Sequence, residues 1–172
     1  MSASLPLLYL SILWAFAGTI DRVVASVGGQ LVTESDVALE RELAQIDLQS
    51  GPFWDPIHTD PLQRLMDAAL VRLLAGDVSL YAPPEAQLNA RLEALRRTVG
   101  DRDRWEAFLR RHGLDEDGVR TLLRRRLVVH RYLERNLALQ TSSSAESMQK
   151  CDMWLTEQRP RYRIRVIPPE TP

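Results

Sequence analysis

The chain has 172 residues, with 22 basic and 23 acidic side chains and a formal net charge of −1 at pH 7. This length is enough for one domain with a single modest core, and the balanced charge does not predict a polyanion as partner. Because Cys151 is the one cysteine, a scaffold held by internal disulfides is excluded.

The N-terminus predicts export. The first twenty residues carry no charged side chain and include an apolar run from Leu5 to Gly18. Small residues at Ala15 and Ala17 occupy the two positions that a signal peptidase reads, which predicts a signal peptide over residues 1–17 and a periplasmic protein. Since no Lys or Arg precedes the apolar run, an uncleaved inner-membrane anchor and a mis-assigned start codon are the alternatives.

A β-hairpin is predicted directly after this segment. Val23 to Val27 is rich in β-branched residues, and Gly28-Gly29 permits a tight turn with positive φ. Leu31 and Val32 then return as the antiparallel strand.

Helix signals follow the hairpin. Thr33 is the expected N-cap of a first helix from about Glu34 to Gln49. The proline-containing segment from Gly51 to Asp60 predicts a loop. Pro61 suits the first position of a second helix, which Gly76 can end.

Three more helices are predicted between Pro84 and the polar segment TSSS at residues 141–144. The third helix opens at Pro84-Glu85. The fourth is expected to start at Asp103, with Glu106 completing a capping box. Asp115 is the expected N-cap of the fifth. Its expected inner stripe is Val119, Leu122, Leu123, Leu127, His130, Leu133 and Leu137.

The chain is predicted to end in a helix, Ala145 to Gln158, and a half-buried strand, Tyr162 to Ile167, whose aliphatic and arginine residues alternate. A single strand is not stable, so it needs a partner, and the hairpin is the other strand-forming segment. We therefore expect the two ends of the chain to meet in one small sheet. Residues 168–172 are expected to be a frayed tail.

Three segments carry a resemblance to a known family: DRVVASVG at Asp21–Gly28, TESDV at Thr33–Val37, and LMDAAL at Leu65–Leu70. Later elements follow in a matching order at Pro84-Glu85, Phe108-Leu109 and Arg124–Leu133. This succession resembles the N-terminal chaperone module of SurA-like periplasmic proteins. The resemblance implies a mainly α-helical domain over residues 18–167, in which the helix and strand at 145–167 pack back on the N-terminal strands.

In SurA-like proteins the module usually surrounds a parvulin-type prolyl isomerase domain. Here only Ala138 to Glu146 separates the long fifth helix from the last one, which leaves no room for that domain. The resemblance therefore implies chaperone-like binding of unfolded or outer-membrane polypeptides, with transient membrane proximity, no cofactor and no enzyme activity. The alternative is a structural or adaptor subunit dedicated to one folded partner.

The candidate peptide-binding residues are Trp105, Phe108, Leu92 and Leu95. Trp105 and Phe108 are three residues apart and share a helix face. Packing in the core is the ordinary role for that spacing. The sharper hypothesis is that some of this aromatic and leucine surface lines a groove for extended apolar segments of a client.

Neither a metal site nor a catalytic site is predicted. His58, His112 and His130 are interpreted as lacking a ligand partner at metal-binding spacing. Arg124–Arg126 has the composition of a phosphate-binding or DNA-reading helix. Because Asp115-Glu116-Asp117 lies close by, we interpret these arginines as a solvated helix face and expect no nucleic-acid partner.

Overall fold

A computed structural model describes residues 21–46, 60–139 and 144–168. The predicted signal peptide, with Ala15 and Ala17, lies outside these ranges. So do residues 47–49 at the predicted end of the first helix, most of the 51–60 loop, residues 141–143 of the polar break and the last four residues of the tail.

The described residues form a mainly helical fold with one small antiparallel sheet, as predicted. Two 3-10 turns, Ser79–Tyr81 and Arg159–Arg161, join longer elements. Across the described ranges, no helix combines the length and the apolar character needed to cross a membrane. The strands and α-helices are β1 Val23–Val27, β2 Gln30–Thr33, α1 Glu34–Ile46, α2 Pro61–Ala75, α3 Glu85–Val99, α4 Arg102–Arg111, α5 Glu116–Asn136, α6 Ser144–Gln158 and β3 Ile164–Val166.

The sheet joins the two ends of the described chain, in the strand order β2-β1-β3. β1 pairs antiparallel with both neighbours, and Val27 lies opposite Gln30 on one side and Ile164 on the other. The predicted meeting of the chain ends in one sheet is confirmed. The predicted strand from Tyr162 to Ile167 is too long, because the 3-10 turn before it uses Tyr162 as its C-cap. Val166 is exposed, so the expected half-buried alternation fails at this edge strand.

Most helix starts follow the local sequence signals. Asp36 accepts a hydrogen bond from the Thr33 backbone N at 2.9 Å, and Asp115 accepts one from the Gly118 N at 2.7 Å. The predicted start of α4 is wrong by two residues. Asp101 caps that helix and accepts from the Arg104 N at 3.0 Å, so Asp103 lies within the first turn.

Two hydrophobic clusters make up the core, and α5 contributes to both. The first lies between the sheet, α2, the C-terminal half of α5 and α6, and the second lies among α1, α3, α4 and the N-terminal half of α5. Val119 and Leu123 belong to the second cluster, whereas Val129 and Leu133 belong to the first. The predicted stripe of α5 is therefore wrong at His130, which is half-buried while its neighbour Val129 takes the core position.

An ion pair with α2 helps to hold the C-terminal segment in place. Arg159 binds the buried carboxylate of Asp67 through both oxygens, at 2.9 Å from Nε to Oδ1 and 2.8 Å from Nη2 to Oδ2. On the preceding helix, Cys151 is fully buried, and burial raises the pKa of its thiol to about 12. A disulfide between two copies would therefore require α6 to move.

The hairpin turn provides a test of how β1 and β2 dock on α2. Gly28 and Gly29 both have positive φ, +55° and +91°, and a Cβ at Gly28 would lie 2.5 Å from Cδ2 of Leu73. A Cβ at Gly29 would meet nothing within 4 Å. Alanine at either position should lower the free energy of unfolding, since a left-handed backbone costs about 1–2 kcal/mol.

The close contact distinguishes the two glycines in a double-mutant cycle, measured by urea denaturation. The loss caused by Gly28→Ala should shrink in a Leu73→Ala background, whereas the loss caused by Gly29→Ala should stay the same. Equal losses for Gly28→Ala in both backgrounds would contradict the contact with Leu73.

Candidate functional site

The four residues predicted to bind a peptide lie together in the second hydrophobic cluster. Trp105, Phe108, Leu92 and Leu95 are each at most 8% exposed. The rings of Trp105 and Phe108 stack with centroids 5.7 Å apart, which fits the shared face that their spacing predicted. They pack against the protein itself in this structure, so their contact with a client stays a prediction.

A different surface has the shape of a binding site, the groove between β2, α1, α2 and α5. Its inner end is a cavity of about 120 Å³, and its outer end widens to about 630 Å³. The two ends share Leu31, Arg72 and Arg125 and form one groove. The apolar lining consists of Leu31, Val32, Leu65, Ala68, Leu73, Leu122, Val128 and Val129.

Ordinary strand and helix periodicity places these side chains. Leu31 and Val32 are neighbours on β2 and both line the groove, but Val32 is buried whereas Leu31 is 62% exposed. On α2, Leu65, Ala68 and Arg72 recur at steps of three and four residues and therefore share one face. The same steps on α5 bring Leu122, Arg125, Arg126 and Val129 to the opposite wall.

One carboxylate closes the inner end of the groove. Glu40 of α1 binds Arg64 of α2 through Oε1, 2.9 Å from Nε, and binds Arg126 of α5 through Oε2. Arg64 also donates to the Glu40 backbone carbonyl at 3.4 Å. Because the Arg64 side chain is only 2% exposed and that of Glu40 12%, this contact ties three helices together in a nearly dry environment.

Two other arginines of the groove have no such carboxylate. Arg72 donates to the side-chain oxygen of Gln30 at 3.0 Å, and within the described ranges neither Arg72 nor Arg125 lies within ion-pair distance of a carboxylate. Burial lowers the pKa of Arg72, and the charge of Arg125 lowers it further, against the opposing effect of Asp36. The inner cavity thus has four arginines against two carboxylates, Asp36 and Glu40.

The histidines do not assemble a metal site in the described part of the chain, and His58 lies outside that part. His130 does have an acidic partner at helical spacing, Glu134, with 3.7 Å between Nδ1 and Oε2, so the interpretation that it lacks one is wrong. His112 is the C-cap of α4, and its Nε2 lies 2.8 Å from Oε2 of Glu42. Among the described residues, no three His, Cys, Asp or Glu side chains are grouped to hold a metal ion.

Sequence reasoning missed most of this groove. It placed Leu31 on a strand but had no signal for which face the hairpin would bury. It interpreted Arg124–Arg126 as one solvated face, yet Arg124 pairs with Glu85 at the surface, Arg125 is exposed on the groove and Arg126 reaches Glu40 inside. The run of three arginines in the sequence singled out α5, but it did not show that the three lie in different surroundings.

The burial of Glu40 predicts a large effect of its neutralisation. Glu40→Gln should lower the free energy of unfolding by about 3–5 kcal/mol, because it removes the charge of a nearly buried carboxylate that binds two guanidinium groups, those of Arg64 and Arg126. Glu85 is a matched control, since it also binds two arginines, Arg120 and Arg124, but is 63% exposed. Glu85→Gln should cost no more than about 1 kcal/mol. Similar losses in urea denaturation would contradict a structural role for the buried contact.

No protein-family model matches this chain, and no curated protein matches it either. The resemblance to SurA-like proteins therefore remains a prediction from the motifs quoted above.

Proposed function

We propose that this protein binds extended segments of unfolded polypeptide in the groove, as a chaperone-like module without prolyl isomerase activity. The observation that carries the proposal is the exposed apolar lining beside two arginines, Arg72 and Arg125, that have no carboxylate within ion-pair distance among the described residues. Leu31 is 62% exposed and Leu73 is 37% exposed, and both lie next to Arg72. Exposed leucines that line a concave surface are typical of ligand and protein interaction sites.

The edge strand supports an extended ligand. Among the described residues β2 pairs only with β1, so its outer edge has no strand neighbour, and its residues Leu31 and Val32 line the groove. An extended peptide can add to such an edge through backbone hydrogen bonds, which depend little on sequence. Tolerance of sequence is what a binder of unfolded chains requires.

The proposed clients and location come from the resemblance to SurA-like proteins and from the N-terminal sequence. We assign unfolded or outer-membrane polypeptides as clients and the periplasm as the site of action. The alternative role, an adaptor for one folded partner, is favoured by the other edge of the sheet. There Val166 and Ile167 are exposed, and in the described ranges β3 pairs only with β1.

Client binding is tested by aggregation of a urea-denatured outer-membrane barrel protein on dilution, followed by light scattering. The purified protein should suppress scattering at a near-equimolar ratio. Leu31→Ser should weaken suppression so that about tenfold more protein is needed. The reason is that a leucine that becomes buried against a client contributes about 1.5–3 kcal/mol to the free energy of binding. Met153→Ser is the control, since Met153 is 59% exposed on α6 and outside the groove.

Equal loss in both variants would contradict the groove as the client site. No suppression by a folded wild-type sample would contradict chaperone-like binding itself. A stoichiometric complex recovered on pull-down would then support the adaptor role.

Export is tested by fractionation and intact mass. We expect the protein in the periplasmic fraction with a mature N-terminus at Gly18, because signal peptidase cleaves after small residues such as Ala17. Replacing Ala15 and Ala17 with bulky residues should block the cleavage. The same replacement at Ser11 is the control and should leave cleavage intact, because Ser11 lies outside the two positions that the peptidase reads. A full-length mass of the wild-type protein in the membrane pellet would instead identify an uncleaved anchor.

A further inference from the structure

We propose that Arg72 and Arg125 form a carboxylate-binding subsite within the groove, which takes an acidic side chain or the C-terminal carboxylate of a bound peptide. The proposal rests on the proposed function and adds a chemical preference to it. Its basis is a pair of cations on facing helices, α2 and α5, that line the same groove.

The acidic side chains that line the groove with this pair either bind other groups of the protein or form no ion pair with the two arginines. Asp36 accepts hydrogen bonds from the backbone N and the hydroxyl of Thr33, both at 2.9 Å. These bonds hold its carboxylate at the start of α1. Glu40 is shared between Arg64 and Arg126. Asp77 lines the outer end of the groove, but the described residues include no ion pair between it and Arg72 or Arg125.

The pair is also under mutual repulsion. Burial lowers the pKa of Arg72, and the positive charge of Arg125 lowers it further. Both guanidinium groups stay charged at neutral pH because arginine is not deprotonated in proteins. An anion between them relieves this repulsion and supplies a negatively charged acceptor, which the neutral side chain of Gln30 is not.

A carboxylate fits better than a simple inorganic anion because of the apolar surroundings. Leu31 and Leu73 lie beside Arg72 at the outer end of the groove. A ligand that carries apolar groups beside its charge is therefore stabilised both by burial against the leucines and by attraction to the arginine. Guanidinium groups bind carboxylates through paired, charge-assisted hydrogen bonds, which gives the subsite a geometric preference as well as an attraction.

The experiment uses fluorescein-labelled peptides of alternating Leu and Ser, measured by fluorescence anisotropy against the full chain. One peptide has a central Glu and an amidated C-terminus, and a second has Gln in its place. A third has the Gln and a free C-terminal carboxylate. Either carboxylate peptide should bind about tenfold more tightly than the neutral one, since a hydrogen bond to a charged group contributes about that factor. The comparison between them identifies which carboxylate the subsite takes.

Substitutions assign the effect to the two arginines. Arg72→Met and Arg125→Met keep an apolar stem and should remove the preference for the carboxylate while leaving affinity for the neutral peptide within about twofold. Because Arg125 is exposed and makes no ion pair within the described ranges, its variant keeps the fold and the test does not depend on Arg72→Met. Arg135→Met is the control, since Arg135 is exposed on the same helix but does not line the groove.

The outcomes separate the two proposals. Equal affinity of wild-type protein for all three peptides overturns the carboxylate subsite and leaves peptide binding intact. A preference that survives in both Arg72→Met and Arg125→Met, or is lost equally in Arg135→Met, also overturns it. No binding of any peptide by folded protein overturns the proposed function together with the subsite.

Discussion

The contact on which the arrangement of the helices depends is the buried carboxylate of Glu40. A guanidinium as buried as that of Arg64 is strongly unfavourable without a counter-charge, and Glu40 supplies negative charge to it where α1 meets α2. The second oxygen of Glu40 holds Arg126 of α5. One side chain thereby fixes three helices relative to one another and, with them, the base and both walls of the groove.

The sharing of α5 between two hydrophobic clusters explains why its consecutive arginines differ. Leu123 faces one cluster and Val129 the other, which fixes the rotation of the helix about its axis. Since consecutive residues are about 100° apart on a helix, Arg124, Arg125 and Arg126 point to three different environments. The packing of apolar neighbours thus decides which arginine is neutralised at the surface, which is neutralised inside and which remains open to a ligand.

The parts of the fold that depend on local chemistry could be predicted from the sequence. The glycine turn, the Thr33 and Asp115 caps and the proline that starts α2 all lie where their side-chain chemistry indicates. The start of α4 was misplaced because Asp101 and Asp103 are both suitable caps, and the hydrogen bond to Arg104 is what selects the first.

The candidate site depended on tertiary packing and could not be predicted in the same way. The spacing of Trp105 and Phe108 gives them a common face, but spacing carries no information about what covers that face. The structure covers it with the second cluster. Conversely, Leu31 stays exposed because its strand neighbour Val32 takes the core position. Which of the two residues is buried is decided only when the hairpin docks on α2.

The charge and the apolar surface of the groove lie side by side. Arg72 and Arg125 line both ends of the groove, and Leu73 and Val128 line its outer end beside them. In the proposed complex, a peptide that places a carboxylate at the arginines therefore brings its neighbouring apolar side chains to the leucine and valine lining. Because both contacts are made by one chain, the entropy lost when the first contact forms does not have to be lost again for the second. Charge recognition and apolar contact then reinforce each other instead of adding independently.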